Sequence, residues 1–247
     1  MASDSGNVRA VERALSILDC FSNGKTSFSL TELAKELGLS LSTTLRILGT
    51  LEKRDYINRS AEDGRYYLGF QLAYIGNIAL SNMDVCRVAQ PYLRQLRDQF
   101  GESAGVYLRR GDKRVCVTRL DGTQPLRFVL VIGNTLPLTR GAAGRVLLAH
   151  MPEEDMDRLL EQDPFTNKEQ LAHVREVGYA RSLGERDPSV ESVAAPIYNA
   201  DGTAFAAVFV TGPKGRFNAE EMERLIDAVK HAGHEISIHL GGRLPEG

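Results

Sequence analysis

Apolar and polar positions alternate along the first third of the chain at the spacing of short amphipathic helices. The first predicted helix begins after Val8. A capping box formed by Ser29 and Glu32 predicts the start of a second helix, and Gly38 suits its end. Ser40 can cap a third helix almost immediately afterwards. Two helices joined by so short a turn predict a helix-turn-helix.

The first and third helices carry apolar stripes that we expect to face a shared core. The stripe of the first helix comprises Val11, Ala14, Leu15, Leu18 and Phe21. The stripe of the third helix comprises Leu41, Leu45, Leu48 and Leu51. Hydroxyl and basic side chains remain on the outer side of the third helix.

Two short extended runs, residues 56–59 and 65–69, follow the third helix and flank Asp63-Gly64, which has hairpin-turn chemistry. This hairpin is the expected wing of a winged helix-turn-helix that binds DNA. The predicted DNA contacts are small hydroxyl residues and cations, which suit close approach to the major groove and to phosphates: Thr31, Ser40, Ser42, Thr43, Arg46, Thr50, Lys53, Arg59 and Arg65. The alternative is that these are solvated faces of a three-helix module used for protein contacts.

A helical connection is predicted between this module and the rest of the chain. Residues 70–81 read as one helix, and an apolar stripe over residues 85–100 predicts a second helix that is interrupted by Pro91. We therefore expect a kinked or broken linker. The predicted domains are residues 1–70 for DNA binding, 71–82 for the linker helix and 83–247 for a second domain.

The second domain mixes hairpin strands with helices, which predicts an α+β fold with an antiparallel sheet. The expected strands cover residues 105–109, 115–119, 127–132, 193–198 and 204–211. The expected helices cover residues 141–149, 153–162, a segment up to 177 that begins behind a Thr166-Asn167-Lys168-Glu169 capping box, and 219–240.

Composition is that of a folded globular protein, with 43% apolar and 25% charged residues among 247. The net charge of −2 gives a nucleic-acid role no general support, so the cations of the first module would have to share one face. No apolar run approaches the length of a membrane span, and we see no secretory signal; we expect a cytoplasmic protein. The three cysteines, Cys20, Cys86 and Cys116, suggest neither a disulfide framework nor a zinc site.

Catalytic chemistry has no recognisable motif in this sequence. The last predicted helix contains His231, His234, Glu235 and His239, but their spacing does not match H-E-x-x-H, and the apolar stripe of the helix explains it as packing. Ser22-Asn23-Gly24-Lys25 matches S-x-x-K without the companion motifs of a hydrolase. We therefore predict no catalytic residues, no metal and no cofactor. The second interpretation kept open is a small-molecule-binding enzyme or storage protein whose N-terminal module serves assembly.

The chain resembles the IclR family of bacterial regulators along nearly its whole length. The similar stretches are residues 11–18, 33–40, 42–48, 66–69, 136–138, 144–149, 178–179 with Glu185, 194–197 and 208–213. The resemblance implies a transcriptional regulator whose partners are a double-stranded DNA operator and a small-molecule effector. It also implies a GAF-like effector domain and a homodimer or homotetramer.

The same resemblance implies positions for effector contacts. They map to Ala142, Ser182, Ser192, Phe209 and Thr211, with Arg140 adjacent to the first. Hydroxyls can hydrogen-bond a carboxylate, and Arg140 could hold it with two hydrogen bonds, which favours a carboxylate or aromatic acid as effector. The alternative is that Arg140 is a surface charge at a helix start and that Phe209 is a core residue.

Overall fold

The structure is a computed structural model that describes residues 8–23, 25–81, 83–128, 131–163, 165–185 and 187–244. The chain divides into two compact units, Met1–Ala79 and Leu80–Gly247, and each is described by itself. Throughout the described residues, no helix is both long enough and apolar enough to cross a membrane.

The first unit is a helical module with a small antiparallel hairpin. Its elements in chain order are α1 (Arg9–Asp19), a short 3₁₀ turn (Cys20–Asn23), α2 (Leu30–Glu36), α3 (Leu41–Glu52), β1 (Ile57–Arg59), β2 (Tyr66–Leu68) and α4 (Phe70–Ser81). Buried apolar side chains from the helices and from the hairpin form its core: Ile17, Phe21, Phe28, Leu33, Leu48, Ile57 and Tyr66. The winged helix-turn-helix predicted from the sequence is confirmed.

The inward face of α3 differs from the prediction. Leu41 and Leu45 are 50% and 48% exposed, whereas Thr44 and Leu48 are fully buried. Thr44 can be buried because its hydroxyl donates a hydrogen bond to the carbonyl oxygen of Ser40 at 3.1 Å, which leaves its methyl group to pack. The expectation that Leu41 and Leu45 face the core is therefore wrong, and both leucines lie on accessible parts of the helix.

Helix α1 shows a similar difference. Ile17 and Phe21 are buried, but Val11 and Leu15 are each 55% exposed, although the predicted stripe contained both. The helix therefore uses only part of its apolar surface inside its own unit.

Helix starts follow the predicted capping chemistry closely. The Ser29 side chain accepts from the amide of Glu32, and the Glu32 carboxylate accepts from the amide of Ser29, which completes a capping box. Ser40 caps α3. In the second unit a capping box is also present, but it consists of Asn167 and Gln170, one residue later than the sequence suggested.

Among its described residues, the second unit contains a six-stranded antiparallel sheet and five helices. The order of the strands in the sheet is β5-β4-β3-β8-β7-β6. The strands are β3 (Ser103–Arg110), β4 (Lys113–Leu120), β5 (Thr135–Pro137), β6 (Ala180–Leu183), β7 (Val190–Tyr198) and β8 (Ala204–Pro213). The helices are α5 (Asp84–Phe100), α6 (Ala142–Ala149), α7 (Glu153–Gln162), α8 (Lys168–Val177) and α9 (Ala219–His239). This arrangement confirms the predicted α+β class with an antiparallel sheet.

Two details of the second unit correct the prediction. Pro91 lies inside α5, which continues through it; the proline is exposed, so water can reach the carbonyl that loses its helical partner. The predicted strand over residues 127–132 is not formed by residues 127, 128, 131 and 132, and residues 129–130 lie outside the described part of the chain. The sheet is extended instead by β5 and β6, which the sequence pattern did not predict.

Helices cover both faces of the sheet, and the alternation along β8 shows how. Val208 and Val210 face the core that includes α5 and α9, whereas Ala207 and Phe209 face the core that includes α6 and α8. Successive side chains of a strand point to opposite faces, so one strand contributes to both cores. The second of these cores contains the cavity described below.

Candidate DNA-binding and ligand-binding sites

The outer face of α3 combines small polar groups with cations. Ser42, Arg46, Thr50 and Lys53 are exposed there. Within the described chain, neither the Arg46 guanidinium nor the Lys53 ammonium has a hydrogen-bond or ion-pair partner. Both cations are therefore available to an external anion such as a phosphate, and Arg46 can also reach a base edge.

Several predicted contact hydroxyls already take part in local hydrogen bonds. The Ser40 hydroxyl accepts from the amide of Thr43 at 3.3 Å and also lies 2.9 Å from the Thr43 hydroxyl. Thr50 donates to the carbonyl oxygen of Arg46, and the Thr31 hydroxyl lies 3.0 Å from that of Ser29. The bonds of Ser40 define the start of α3, and all of these bonds leave the hydroxyl groups of Ser40, Thr50 and Thr31 on exposed residues.

The wing contains the two remaining predicted cations, and they have different environments. Arg59 is exposed, and its Nε donates to the carbonyl oxygen of Gly64 at 3.3 Å. Arg65 instead donates to the hydroxyl and carbonyl oxygen of Ser27 and forms an ion pair with Glu32 at 2.8 Å. The sequence predicted that Arg65 contacts the DNA backbone. In the structure its guanidinium instead connects the wing to the start of α2, so we assign it a structural role.

Glu32 is the centre of this fastening. It accepts hydrogen bonds from Lys25 at 2.8 Å and from the Ser29 amide at 2.7 Å, in addition to the contact with Arg65. These bonds, with that from Lys25 the largest, lower the pKa of Glu32 to about 2. The carboxylate thus stays charged and holds α2 against the wing.

Gly49 is an unusual residue for the middle of a helix. It lies in α3 between the exposed Arg46 and Lys53, and a Cβ atom added to it would meet nothing within 4 Å. No packing inside the protein therefore requires glycine there, and glycine in a helix interior costs about 1 kcal/mol relative to alanine. The exposed backbone at Gly49 permits close approach of an external surface such as DNA.

Gly49→Ala is expected to stabilise the first unit by about 0.5–1 kcal/mol and to weaken DNA binding by about fivefold. Gly76→Ala is the matched control because Gly76 is also helical with open space around its Cβ position. Urea unfolding and fluorescence anisotropy with labelled DNA measure the two effects. Equal DNA affinity of both variants and the wild type would remove Gly49 from the binding face.

A partly enclosed cavity lies between the sheet and the N-terminal end of α6 in the second unit. It holds about 50 Å³ of free space, which is room for three to five water molecules at about 10–15 Å³ each. Its lining comes from β3, β4, α6, β7, β8, the end of β6 with the loop that follows, and the segments before β5 and before α6: Tyr107, Arg114, Phe128, Gly141, Ala142, Ala143, Ser182, Glu185, Asp187, Val190, Ser192, Phe209 and Thr211. Five of the six residues assigned to effector contacts are in this lining.

The hydroxyl groups in this lining differ in availability. Thr211 donates to the carbonyl oxygen of Glu191 at 3.2 Å. Ser182 is 6% exposed, and among the described residues its hydroxyl has no hydrogen-bond partner. A hydroxyl in the lining that has no partner within the protein is available to donate to, or accept from, a polar atom in the cavity.

Phe209 forms the apolar wall of the cavity. Its ring centroid lies 4.7 Å from that of Tyr107, and a Cβ atom on Gly105 would approach the Phe209 ring to 2.7 Å. Gly105 therefore makes the space in which the ring lies. Phe209 is both a core residue and a cavity residue, so the two interpretations made from the sequence are compatible.

Arg114 is the cation among the lining residues that the sequence pattern did not reveal. It lies on β4, it is 2% exposed, and its guanidinium carbon is 5.1 Å from the centre of the Tyr107 ring. One of its nitrogens donates to the carbonyl oxygen of Pro137. The guanidinium also lies against Gly141, where an added Cβ atom would be 3.1 Å from a terminal nitrogen. A buried cation is thus positioned beside the start of α6.

The start of α6 adds a second source of positive potential. Amides in the first turn of a helix have no partner inside the helix, and the helix dipole favours negative charge at this end. Ala142 and Ala143, the first two helical residues, line the cavity. The amide of Gly141 donates to the Glu185 carboxylate at 2.8 Å, and the same carboxylate pairs with Arg145 at 2.7 Å.

Arg140 is not among the residues that line the cavity. Its guanidinium makes two contacts with Asp163, at 3.0 and 3.2 Å, and lies over the ring of Phe165. Hydrogen bonds from Arg140, and then from Thr139, hold the pKa of Asp163 below its usual value. The expectation that Arg140 holds the carboxylate of an effector is therefore corrected. The Arg140 side chain is 43% exposed and forms an ion pair with Asp163, whereas Arg114 is the cation that lines the cavity.

The histidines of α9 do not form a metal site in the described chain, where no group of three or more His, Cys, Asp or Glu side chains could hold a metal. The His239 ring lies 2.9 Å from the carbonyl oxygen of Glu235 and 3.1 Å from the Tyr92 hydroxyl. Through the contact with Tyr92, His239 connects α9 to α5.

Two family models match the chain. The IclR helix-turn-helix domain matches residues 10–61, and the model for the C-terminal part of the bacterial transcriptional regulator IclR matches residues 77–238. The second match alone covers more than half of the chain. The chain belongs to the IclR family of transcriptional regulators.

Curated relatives agree with this assignment. The HTH-type transcriptional regulator XynR of Escherichia coli is 30% identical over 95% of this chain and 98% of its own length. The HTH-type transcriptional repressor AllR of Escherichia coli is 28% identical over 94% of this chain and 90% of its own. These relatives are regulators, and this IclR-family chain is a DNA-binding regulator and not an enzyme. The interpretation as an enzyme or storage protein is set aside.

Solved structures share the whole architecture. An IclR transcriptional regulator from Alicyclobacillus acidocaldarius has a TM-score of 0.85 at 28% identity, over 95% of this chain and 100% of that one. An IclR family transcriptional regulator from Brucella abortus has a TM-score of 0.81 at 26% identity, over 97% of this chain and 95% of that one. The helix-turn-helix unit and the effector unit are thus both those of the family.

Proposed function

We propose that this IclR-family regulator binds its operator as a homodimer or homotetramer, and that a small carboxylate in the cavity of the second unit modulates this binding. The proposal of a carboxylate ligand is supported by one observation: the buried Arg114 lies beside the start of α6 in the lining of the cavity. The proposed DNA contacts are those on the outer face of α3 and on the wing, with Arg65 as a structural residue.

Exposed apolar side chains support self-association. Val8, which caps α1, and Val11 and Leu15 on α1 are each more than half exposed, as are Phe70 and Tyr74 on α4. Exposed apolar groups on one helix face mark interaction sites in soluble proteins when they form a patch. A second copy of the chain is the proposed occupant, because two winged helices then read two half-sites about one helical turn apart, at about 34–36 Å.

The ligand class follows from the chemistry of the lining. The Arg114 guanidinium and the amides of α6 favour a carboxylate, and the Ser182 hydroxyl favours a second polar atom such as a hydroxyl or keto oxygen. The small free volume favours a compact acid. An aromatic acid requires the side chains of Phe128 or Phe209 to move outward; 4-hydroxybenzoate, present in a crystal structure of a 21% identical IclR homologue, is one probe of this class.

The ligand part is tested by thermal unfolding of the purified protein with paired acids and neutral amides: lactate with lactamide, and benzoate with benzamide. A ligand at about 100 times its dissociation constant adds about 2.7 kcal/mol to stability. Lactate is expected to raise the melting temperature, lactamide is not, and benzoate is expected to have the smaller effect of the two acids. 4-Hydroxybenzoate is measured alongside them.

Arg114→Met is the matched variant, because methionine keeps much of the side-chain length without the charge. It is expected to lose the stabilisation by acids. Unchanged melting temperatures of the wild-type protein with every acid would contradict the proposed ligand class. Full stabilisation of the Arg114→Met protein would contradict the role of Arg114.

A further inference from the structure

The anion-binding position at the start of α6 already contains a carboxylate from the protein. Glu185, in the loop between β6 and β7, accepts from the Gly141 amide through one oxygen and pairs with Arg145 through the other. Its side chain is 11% exposed, and it lines the cavity. Glu185 therefore occupies a place that the carboxylate of a ligand would use.

Charge balance makes simultaneous occupancy unfavourable. Among the described residues, the charged side chains at the cavity are those of Arg114, Glu185 and Asp187 in the lining and of Arg145 beside it, and the formal charges of these four sum to zero. An anionic ligand added to this group would bury an extra negative charge, which is costly unless it is compensated. Exchange of one carboxylate for another keeps the charge at the amides of α6 unchanged.

We propose that Glu185 is an internal competitor of the effector: the ligand carboxylate takes the Gly141 amide in exchange for the Glu185 carboxylate, which keeps its ion pair with Arg145. This inference rests on the proposed function of the cavity as a carboxylate site. Glu185 then lowers the affinity of the site for every ligand. It also restricts binding to ligands whose negatively charged group can accept the hydrogen bond from the Gly141 amide in place of the Glu185 carboxylate.

Exchange also connects the ligand to the loop that contains Glu185. Arg145 of α6 donates to the carbonyl oxygen of Arg181 on β6 as well as pairing with Glu185. The same loop holds Asp187, whose carboxylate accepts from the amide and hydroxyl of Ser189. When the Glu185 carboxylate leaves the Gly141 amide, the direct hydrogen bond between this loop and the start of α6 is lost. The ion pair between Glu185 and Arg145 of α6 remains.

Calorimetric titration of lactate and benzoate into the full-length protein tests this inference. Glu185→Gln keeps the side-chain shape and replaces the competing carboxylate by a weaker neutral acceptor, so we expect about tenfold tighter binding of whichever acid binds the wild type. Glu185→Asp keeps the charge but shortens the reach to Gly141, and we expect it to tighten binding by about threefold. Melting curves of each variant confirm that it is folded.

Asp187→Asn separates exchange from a general charge effect, because it removes a negative charge from the same loop and from the cavity lining but leaves Glu185 as the acceptor of the Gly141 amide. We expect it to tighten binding by less than about threefold, and so by less than Glu185→Gln does. Equal gains for Glu185→Gln and Asp187→Asn, with no gain for Glu185→Asp, would show a general charge effect and overturn exchange. Unchanged or weaker binding in both Glu185 variants would overturn it while leaving the carboxylate site intact. Failure of wild-type and variant proteins to bind either acid would overturn both proposals.

Discussion

Arg46→Ala is expected to weaken operator binding by about 1–3 kcal/mol, or about 5- to 150-fold. Arg46 is exposed on the outer face of α3, and within the described residues no acceptor engages its guanidinium. Its removal therefore costs an external contact without releasing an internal one. Fluorescence anisotropy with DNA from upstream of the gene measures the affinity.

The control for this variant is Arg224→Ala, which removes the same charge from an exposed position on α9 in the other unit. It is expected to leave affinity nearly unchanged. The dependence on salt adds a second readout: loss of a phosphate contact lowers the slope of log affinity against log salt by about 1, whereas loss of a base contact relaxes selectivity at one position. Arg46→Ala with wild-type affinity, slope and selectivity would exclude α3 as the reading helix.

Gly144→Ala is expected to destabilise the second unit by about 1–3 kcal/mol and to abolish stabilisation by acids. Gly144 lies in the first turn of α6, where an added Cβ atom would be 2.5 Å from the carbonyl oxygen of Leu138 and would also clash with Arg114. The backbone oxygen cannot move easily, and movement of the guanidinium would deform the cavity. Urea unfolding followed by circular dichroism measures the loss.

Gly49→Ala provides the comparison for this variant, since the same substitution in open space is expected to have the opposite sign. The two units can unfold in separate transitions, so the change at Gly144 is assigned to the transition that acids shift in the wild type. A Gly144→Ala protein with wild-type stability and a full response to lactate would contradict the packing around Arg114.

Local signals explain how much of the fold could be predicted. Ser29 with Glu32 and Ser40 determine where α2 and α3 begin, because capping depends on residues within one turn of each other. The strands of the second unit could be predicted where apolar runs flank turn residues. The short strands β5 and β6 could not, because they are formed by pairing at the edges of the sheet and have little pattern of their own.

The faces of helices were harder to predict than the helices. A stripe of leucines in α3 suggested the core side, but the bond from Thr44 to Ser40 lets a threonine take a core position. On α1, Val11 and Leu15 belong to the apolar stripe and are nevertheless exposed. A single-chain pattern does not distinguish an apolar position that faces the core from one that faces a second copy.

The cavity cation could not be predicted for a different reason. Arg114 stands two residues after a hairpin turn, where a cation usually faces water, and it meets Gly141 and Gly144 only through the pairing of β4 with β5 and the position of α6. Arg140 was the plausible choice because it is adjacent in sequence to the start of α6. Its partner Asp163 comes from the end of α7, and that contact is a product of tertiary structure.

This regulator is proposed both to bind an operator and to respond to a small acid. Both properties are tested together by the fluorescence anisotropy of labelled upstream DNA, with a shuffled sequence of equal composition as competitor, measured over a range of salt with and without lactate or benzoate. We predict salt-sensitive binding that prefers the upstream sequence and changes when an acid that stabilises the protein is added. Equal affinity for the shuffled sequence, or binding that such an acid leaves unaltered, would contradict the account.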